Sequence, residues 1–321
     1  MPVIETSTFR PAWWLRNAHA QTIWPALLRR VPRPEWERQR IELPDGDFLD
    51  ADWSVVGAKR AVIVTHGLEG HSRQTYVTGM VRAFNRAGWD AIAWNFRGCS
   101  GEPNRLPKAY HSGATEDLVA VIHHALGRKN YDQIAVVGFS LGANLTLKFL
   151  GELGSRPGIV CGGAAVSVPC DLRASAEYMA RPGCALYMRR FLREMARRIE
   201  GKRTVFGSQI SAANFRAMRT FKEFDDAYTA PHHGFVDAHD YWAKCSANRF
   251  LPSIRVPTLI LNAQDDPFLA PECFPWDTAR QSEHVYLDAP RHGGHVGFVG
   301  NGGPWGEYWN EAQAVQFMGA I

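Results

Sequence analysis

Ser140 is the residue of this chain best placed for nucleophilic chemistry, because it lies in the run Gly138-Phe139-Ser140-Leu141-Gly142. The apolar residues 134–137 before this run predict a short β-strand, and the residues after it predict a helix. A serine at such a sharp turn holds a strained backbone, and the flanking glycines leave room for the neighbouring elements. The turn exposes the hydroxyl beside a helix N-terminus, where developing negative charge is favoured. We therefore predict that Ser140 is a nucleophile.

A serine hydroxyl is a weak nucleophile, so it needs a base and a group that orients the base. In an architecture with this turn, an acid and then a histidine follow the serine along the chain, on loops after later strands. Asp265 and Asp266 follow the apolar run 258–261 and are the candidate acids. Counting three residues from Ala263, at the end of that run, favours Asp266 over Asp265.

Two histidines, His292 and His295, follow the next apolar run at 284–287. We favour His295 as the base because nearby glycines leave its backbone free to approach the serine, and His292 is the alternative. These glycines are Gly293, Gly294 and Gly297. A histidine in a glycine-rich loop is often structural, but the order of serine, acid and histidine argues against that interpretation here.

Backbone amides are the expected stabilisers of the oxyanion that forms when a carbonyl is attacked. One is the N–H of Leu141, the residue after the nucleophile, and the second is expected in the loop after an earlier strand. The run His66-Gly67-Leu68-Glu69-Gly70 follows the apolar stretch 61–65, and the Leu68 N–H is our candidate. This chemistry needs neither a cofactor nor a metal, and we predict none.

The order of the predicted elements explains how these loops come together. From Ala61 onward the pattern is β-α-β-α-β-α-β, typical of a doubly wound parallel sheet with right-handed crossovers. Residues 171–253 break this pattern with amphipathic helices alone. We therefore predict an α/β fold of the α/β-hydrolase type, a mostly parallel sheet with an inserted helical cap. The core spans 35–170 and 254–321, the cap spans 171–253, and an aromatic-rich segment, 1–34, packs on the core.

Length and composition are those of an ordinary globular protein, with 321 residues of which 45% are apolar and 21% charged. A net charge of +4, with no basic run interleaved with aromatics, argues against a nucleic-acid partner. The sequence has no signal-peptide pattern and no run of about 18 apolar residues, so we expect a cytoplasmic protein. The six cysteines lack C-x-x-C spacing, which disfavours a zinc site or a disulfide framework.

One helical pattern in the cap has an apolar face and a basic face. The apolar face carries Phe191, Leu192, Met195 and Ile199, and the basic face carries Arg189, Arg190, Arg193, Arg197 and Arg198. The simpler interpretation is a solvated face over an apolar stripe, and the alternative is contact with a membrane surface or an acidic substrate. His19 is likewise more simply a hydrogen-bonded structural histidine than a site residue.

Seven segments carry a more specific signal, and they occur in one order over nearly the whole chain. They are 19–22, 66–70, 95–104, 110–113, 138–144, 262–267 and 293–298. With these segments the chain resembles the YheT-type α/β-hydrolases, a branch of a superfamily that also contains the eukaryotic membrane-anchored ABHD lipases. The resemblance implies a Ser–Asp–His triad, which falls on Ser140, Asp266 and His295.

The resemblance also implies esterase or lipase-like hydrolysis of small-molecule carboxylic esters, such as short- to medium-chain acyl esters or acyl-glycerols. The sequence begins without the N-terminal anchor of the eukaryotic members, so we expect no stable membrane anchor and at most peripheral membrane contact. A thioesterase or an acyltransferase with the same triad is an alternative, because only the acyl acceptor differs. A non-catalytic binding protein on the same fold is a further alternative, against which the complete triad argues.

Overall fold

A mostly parallel β-sheet of nine strands organises the computed structural model, which describes residues 3–156, 158–302 and 305–321. The strands are β1 (Val3–Ile4), β2 (Glu37–Glu42), β3 (Phe48–Ser54), β4 (Arg60–Thr65), β5 (Asp90–Trp94), β6 (Gln133–Phe139), β7 (Val160–Val166), β8 (Thr258–Leu261) and β9 (Val285–Asp288). Their order across the sheet is β1-β9-β8-β7-β6-β4-β5-β3-β2. β3 pairs antiparallel with β2 and with β5, and the other neighbours are parallel.

Helices cover both faces of this sheet, as the α/β pattern predicts. The helices outside residues 171–253 are α1 (Ala18–Leu28), α2 (Thr75–Arg86), α3 (Thr115–Arg128), α4 (Leu141–Leu153), α10 (Trp276–Gln281) and α11 (Trp309–Gly319). Side chains alternate along β4, so Ile63 packs in a cluster with α3 and α4, while Val64 packs in a cluster with α2 and α11. Both faces of the strand are therefore buried, which explains its continuous apolar sequence.

Residues 171–253 form helices and turns and contain no strand; the structure describes all of them. The helices are α5 (Leu172–Met179), α6 (Ala185–Phe206), α7 (Phe221–Phe224), α8 (Ala230–His233) and α9 (Ala238–Cys245), with a π-helical turn over Asp225–Thr229. A separate apolar cluster, rich in methionine and phenylalanine, lies beneath α6 and includes Phe268 from the loop after β8. This region therefore packs over the loops at the carboxyl ends of the parallel strands.

The N-terminal segment is part of the core: it contributes a strand to the sheet as well as packing on it. β1 pairs with β9, and Phe9 packs against Phe298 and Trp309 at ring-centroid distances of 5.7 and 5.2 Å. The aromatic side chains do not all pack inward, however, since Trp13 is 77% exposed. The segment is held by its strand, by Phe9 and by α1.

Candidate active site

Ser140 is a single-residue turn between the last residue of β6 and the first residue of α4. Its backbone has φ +52° and ψ −118°, a left-handed conformation that L-residues rarely hold. A Cβ added at Gly138 would lie 2.3 Å from the Gly142 carbonyl oxygen, and one added at Gly142 would lie 2.3 Å from the His66 carbonyl oxygen. Both glycines are therefore required by close backbone approach, as the sequence predicted.

A continuous line of hydrogen bonds joins Ser140, His295 and Asp266. The Ser140 Oγ lies 3.0 Å from the Nε2 of His295, and the Nδ1 of His295 lies 2.8 Å from the Oδ2 of Asp266. A carboxylate can only accept, so Nδ1 carries the ring proton and Nε2 is left to accept the serine proton. The Asp266 side chain is fully buried and that of His295 is 9% exposed, so this line is largely shielded from water.

The alternative acid and base contact each other instead of the serine. Asp265 accepts a hydrogen bond from the Gly294 amide at 3.0 Å, and its Oδ2 lies 3.2 Å from the Nδ1 of His292. Burial raises the pKa of Asp265, which opposes the effect of these two hydrogen bonds. This geometry fits a role for Asp265 in holding the loop that carries His295.

The histidine loop has a strained backbone that other segments support. Val296 has φ +56°, and its amide donates to the Ser167 Oγ at 2.8 Å. The His295 amide donates to the Oγ1 of Thr22, on α1, at 2.9 Å. Sequence reasoning assigned no role to Thr22, although the motif at 19–22 indicated that this segment lies near functional residues.

The other residues of that motif fix α1 against its neighbours. The Gln21 side chain is fully buried, donates to the carbonyls of Leu15 and Val299 and accepts from the Val299 amide. The His19 Nδ1 lies 3.0 Å from the hydroxyl of Tyr187 on α6. His19 is thus hydrogen-bonded, as expected, and it connects α1 to the cap.

The two residues predicted to supply the oxyanion amides, Leu68 and Leu141, lie next to Ser140. The loop 66–70 lies against the serine, because a Cβ added at Gly67 would be 3.3 Å from the Ser140 Cβ. Leu68 and Leu141 both line the cavity that contains Ser140. Among the described residues, neither leucine amide has a hydrogen-bond partner, so both donors are free for a ligand oxygen.

A buried neutral histidine holds the beginning of the loop 66–70. Burial lowers the pKa of His66 to about 3, so the imidazole carries no charge near neutral pH. Its Nδ1 donates to the Gly67 carbonyl at 2.7 Å, and its Nε2 accepts from the Phe96 amide at 3.2 Å. The ring therefore links the loop to Phe96, two residues after the end of β5.

The cap holds the other half of this loop through Arg198. Glu69 has φ +52°, its amide donates to the Tyr110 oxygen at 2.9 Å, and its Oε1 accepts from the Tyr110 hydroxyl at 2.8 Å. The same Oε1 lies 2.5 Å from an Nη2 of Arg198, on α6. The sequence placed Arg198 on the basic face of α6, which is wrong for this residue: its side chain is only 14% exposed and points inward.

A cavity extends from Ser140 beneath the cap. Its lining is mainly apolar and includes Leu172, Met179, Met195, Phe224, Phe268 and Leu269. Polar groups also line it, among them Asp225, which accepts from the Thr229 hydroxyl at 2.6 Å and from the Trp242 indole at 2.9 Å. Burial raises the pKa of Asp225 to about 7, so this carboxyl is largely protonated below neutral pH.

A second depression, the outer groove, reaches the same serine and is lined by both α1 and α6. α1 contributes Ile23 and Leu27 to its lining, and α6 contributes Leu186, Tyr187 and Arg190. Ser140 and His295 line both this groove and the inner cavity. An ester at Ser140 could therefore place its acyl and alcohol parts in separate compartments.

The motif at 95–104 is structural. The guanidinium of buried Arg97 lies between three carboxylates, those of Asp117, Asp45 and Asp47, at 2.7, 2.7 and 3.2 Å. Within the described ranges, no group of three or more metal-ligating side chains is arranged to hold an ion. In that same part of the chain, no helix is long and apolar enough to span a membrane.

Comparison with known proteins agrees with this architecture. The family model described as the alpha/beta hydrolase fold matches residues 60–301. A solved structure of the esterase Pf2001 from Pyrococcus furiosus is similar with a TM-score of 0.61, at 18% identity and covering 91% of this chain and 97% of that one. The chain belongs to the α/β-hydrolase family.

Two relatives of known family indicate the branch of the α/β-hydrolase family to which the chain belongs. YheT of Escherichia coli strain K12 is 37% identical over 98% of this chain and 93% of its own length. Mouse phospholipase ABHD3 is 29% identical over 93% of this chain and 74% of its own length. The chain is a YheT-type member of the family and a hydrolase of the esterase and lipase class.

Proposed function

We propose that this protein hydrolyses small carboxylic esters through an acyl-enzyme on Ser140. The observation that carries the proposal is the unbroken hydrogen-bond line from Asp266 through His295 to the Ser140 hydroxyl. A serine next to a neutral imidazole acceptor can lose its proton as it attacks, and the aspartate stabilises the imidazolium that forms.

The reaction follows from this proton path. The Ser140 Oγ forms a bond to the ester carbonyl carbon while its proton passes to the Nε2 of His295. The amides of Leu68 and Leu141 donate to the resulting oxyanion. The imidazolium returns its proton to the alcohol oxygen, the bond between that oxygen and the acyl carbon breaks, and the alcohol leaves. Water, deprotonated by His295, then cleaves the acyl-enzyme and restores the serine.

The two compartments support a substrate with parts on both sides of the ester bond. The inner cavity is apolar over most of its lining, which suits an acyl chain. The outer groove also carries charged side chains, such as Glu69 and Arg190, and suits the alcohol part. Short- to medium-chain acyl esters, including acyl-glycerols, fit this division.

Covalent labelling and a substrate series test the proposal. A fluorophosphonate probe is expected to label the wild-type protein and not Ser140→Ala, and the exposed-serine variant Ser253→Ala should label like the wild type. Turnover of p-nitrophenyl and glycerol esters should fall about 10⁶-fold in kcat in Ser140→Ala. Labelling or substantial turnover that survives in Ser140→Ala would refute the assignment.

We also propose a cytoplasmic location. All six cysteines are free, and four of them are buried. Unpaired buried thiols are typical of proteins from reducing compartments, where disulfides are rare.

A further inference from the structure

The mouth of the outer groove carries apolar side chains that no other part of the described chain covers. Ile23 and Leu27 project from α1, and Leu186 projects from the first turn of α6 across the groove. They are 42%, 71% and 78% exposed. Single exposed apolar residues are common, but three around one opening to a reactive serine form a patch that calls for an occupant.

Basic side chains continue this patch along α6. Leu186, Arg190, Arg193 and Arg197 follow one another at intervals of three or four residues, so they share one exposed face of the helix. Arg190 is paired with Glu194 at 3.1 Å. No carboxylate among the described residues lies within ion-pair distance of Arg189, Arg193 or Arg197, so three cations have no internal partner.

We propose that Ile23, Leu27 and Leu186, together with Arg189, Arg193 and Arg197, form a docking surface for an anionic lipid bilayer. The apolar side chains would enter the headgroup region, and the guanidinium groups would bind lipid phosphates. Docking turns the mouth of the groove toward the bilayer, so an ester lipid can reach Ser140 without crossing water.

The charge of this surface favours a bilayer over a second copy of the chain. A two-fold interface places the same patch of each copy against the other, so the three unpaired arginines would face their own equivalents. Like charges in that arrangement repel, whereas the cytoplasmic leaflet of a membrane is anionic. The proposal concerns binding and stands apart from the identity of the ester that is cleaved.

Co-sedimentation with lipid vesicles tests the docking surface. The inactive variant Ser140→Ala serves as the parent protein, so lipid hydrolysis cannot complicate the measurement and a failure to dock leaves the proposed esterase activity untouched. We expect the parent to bind phosphatidylglycerol-containing vesicles and to bind pure phosphatidylcholine vesicles much more weakly.

Two sets of added substitutions separate the apolar and the basic contributions. Leu27→Glu with Leu186→Glu should lower the partition coefficient for the anionic vesicles at least about tenfold, because buried apolar area drives insertion. Arg189→Gln with Arg193→Gln and Arg197→Gln should lower it on the order of a hundredfold, at about fivefold for each arginine. Val55→Glu is the matched control, since Val55 is 49% exposed, follows β3 and lines neither the outer groove nor the inner cavity.

Three results decide between the possible occupants of this surface. Loss of vesicle binding in the two groove variants, with binding by Val55→Glu unchanged, supports the bilayer. Absence of parent binding to anionic vesicles, or retained binding in both groove variants, overturns the proposal. A concentration-dependent dimer in light scattering that Leu27→Glu with Leu186→Glu converts to a monomer overturns it in favour of a second copy.

Discussion

The serine turn and the cap line the same cavity, but different forces give them their shape. Around Ser140, backbone atoms approach so closely that no side chain fits at Gly138 or Gly142. Beneath α6, by contrast, methionine and phenylalanine side chains fill the space, and such cores tolerate change in shape. The serine turn therefore depends on a rigid backbone, whereas the dimensions of the cavity depend on side chains that can be exchanged.

The largest effect is expected at Asp266, the predicted acid of the triad. Asp266→Asn should lower kcat about 10⁴-fold, because the amide no longer fixes the imidazole with its proton on Nδ1. Asp265→Asn is the matched control and should cost far less, since Asp265 contacts His292 and the Gly294 amide. Steady-state kinetics with p-nitrophenyl butyrate measures both, and a larger loss in Asp265→Asn would reverse the assignment.

The buried carboxyl of the cap should make stability depend on pH. The pKa of Asp225 is raised from 3.8 to about 7, so between these values the folded protein binds more protons than the unfolded chain. Its contribution is fully present below pH 3.8 and is lost as pH rises through 7. The free energy of unfolding should therefore fall by about 4 kcal/mol across this window from this group.

Urea unfolding from pH 4 to 8 tests this dependence. The fall should appear in the difference between the wild type and Asp225→Asn, because buried histidines such as His66 make stability rise with pH in both proteins. Asp226→Asn should keep the pH dependence of the wild type, because Asp226 is more exposed and is paired with Lys222 at 2.6 Å. Equal pH dependence in the wild type and in Asp225→Asn would show that another group is responsible.

The rigidity of the turn can be tested by adding a single methyl group. Gly142→Ala places a Cβ 2.3 Å from the His66 carbonyl oxygen, a backbone atom that cannot move aside, and it should cost about 3 kcal/mol of stability. Gly127→Ala in α3 is the matched control, because a Cβ there meets nothing within 4 Å, and it should stabilise by about 0.5–1 kcal/mol. Thermal or urea unfolding gives both values, and equal stability in the two variants would contradict the steric argument.

The smallest effect is expected from losing the contact between Arg198 in the cap and Glu69 in the loop beside Ser140. Arg198→Met removes the cationic partner of Glu69 and leaves it only the Tyr110 hydroxyl, so the loop 66–70 should lose part of its support and kcat should fall roughly tenfold, with little change in KM. Adding Glu69→Gln should recover part of the loss, because no carboxylate is then buried without a cation. Arg173→Met, at an exposed pair on α5, is the control. Unchanged kcat in Arg198→Met would mean that the cap does not position the loop.

The sequence predicted the sheet and the proximity of Ser140, Asp266 and His295 because local rules govern them. A glycine-flanked serine between a strand and a helix has few conformations available, and parallel strands bring their following loops to one edge. The catalytic roles stay predictions, as do the domain boundaries, although the hydrogen bonds support the former.

The contributions of Thr22 and Arg198 could not be predicted in the same way. Thr22 contacts a residue 273 positions away, and helical periodicity gives no sign of such a pairing. Arg198 lies one residue after exposed Arg197, and a step of about 100° around the helix turns it from solvent toward Glu69. Residue type alone does not distinguish these two arginines; only the packing of α6 over the loop does.

Residues 3–29 contact residues 285–319 at several points, and these contacts have a consequence for folding during synthesis. β1 pairs with β9, the Thr22 hydroxyl supports the amide of His295, and Arg29 is buried against Glu311 at 2.6 Å. Residues 3–29 are made before residues 285–319, so their pairing must wait, while the serine turn between them is made much earlier. A nascent chain on the ribosome therefore carries Ser140 before His295, its predicted base, and we expect it to stay inert toward esters until α11 emerges and docks.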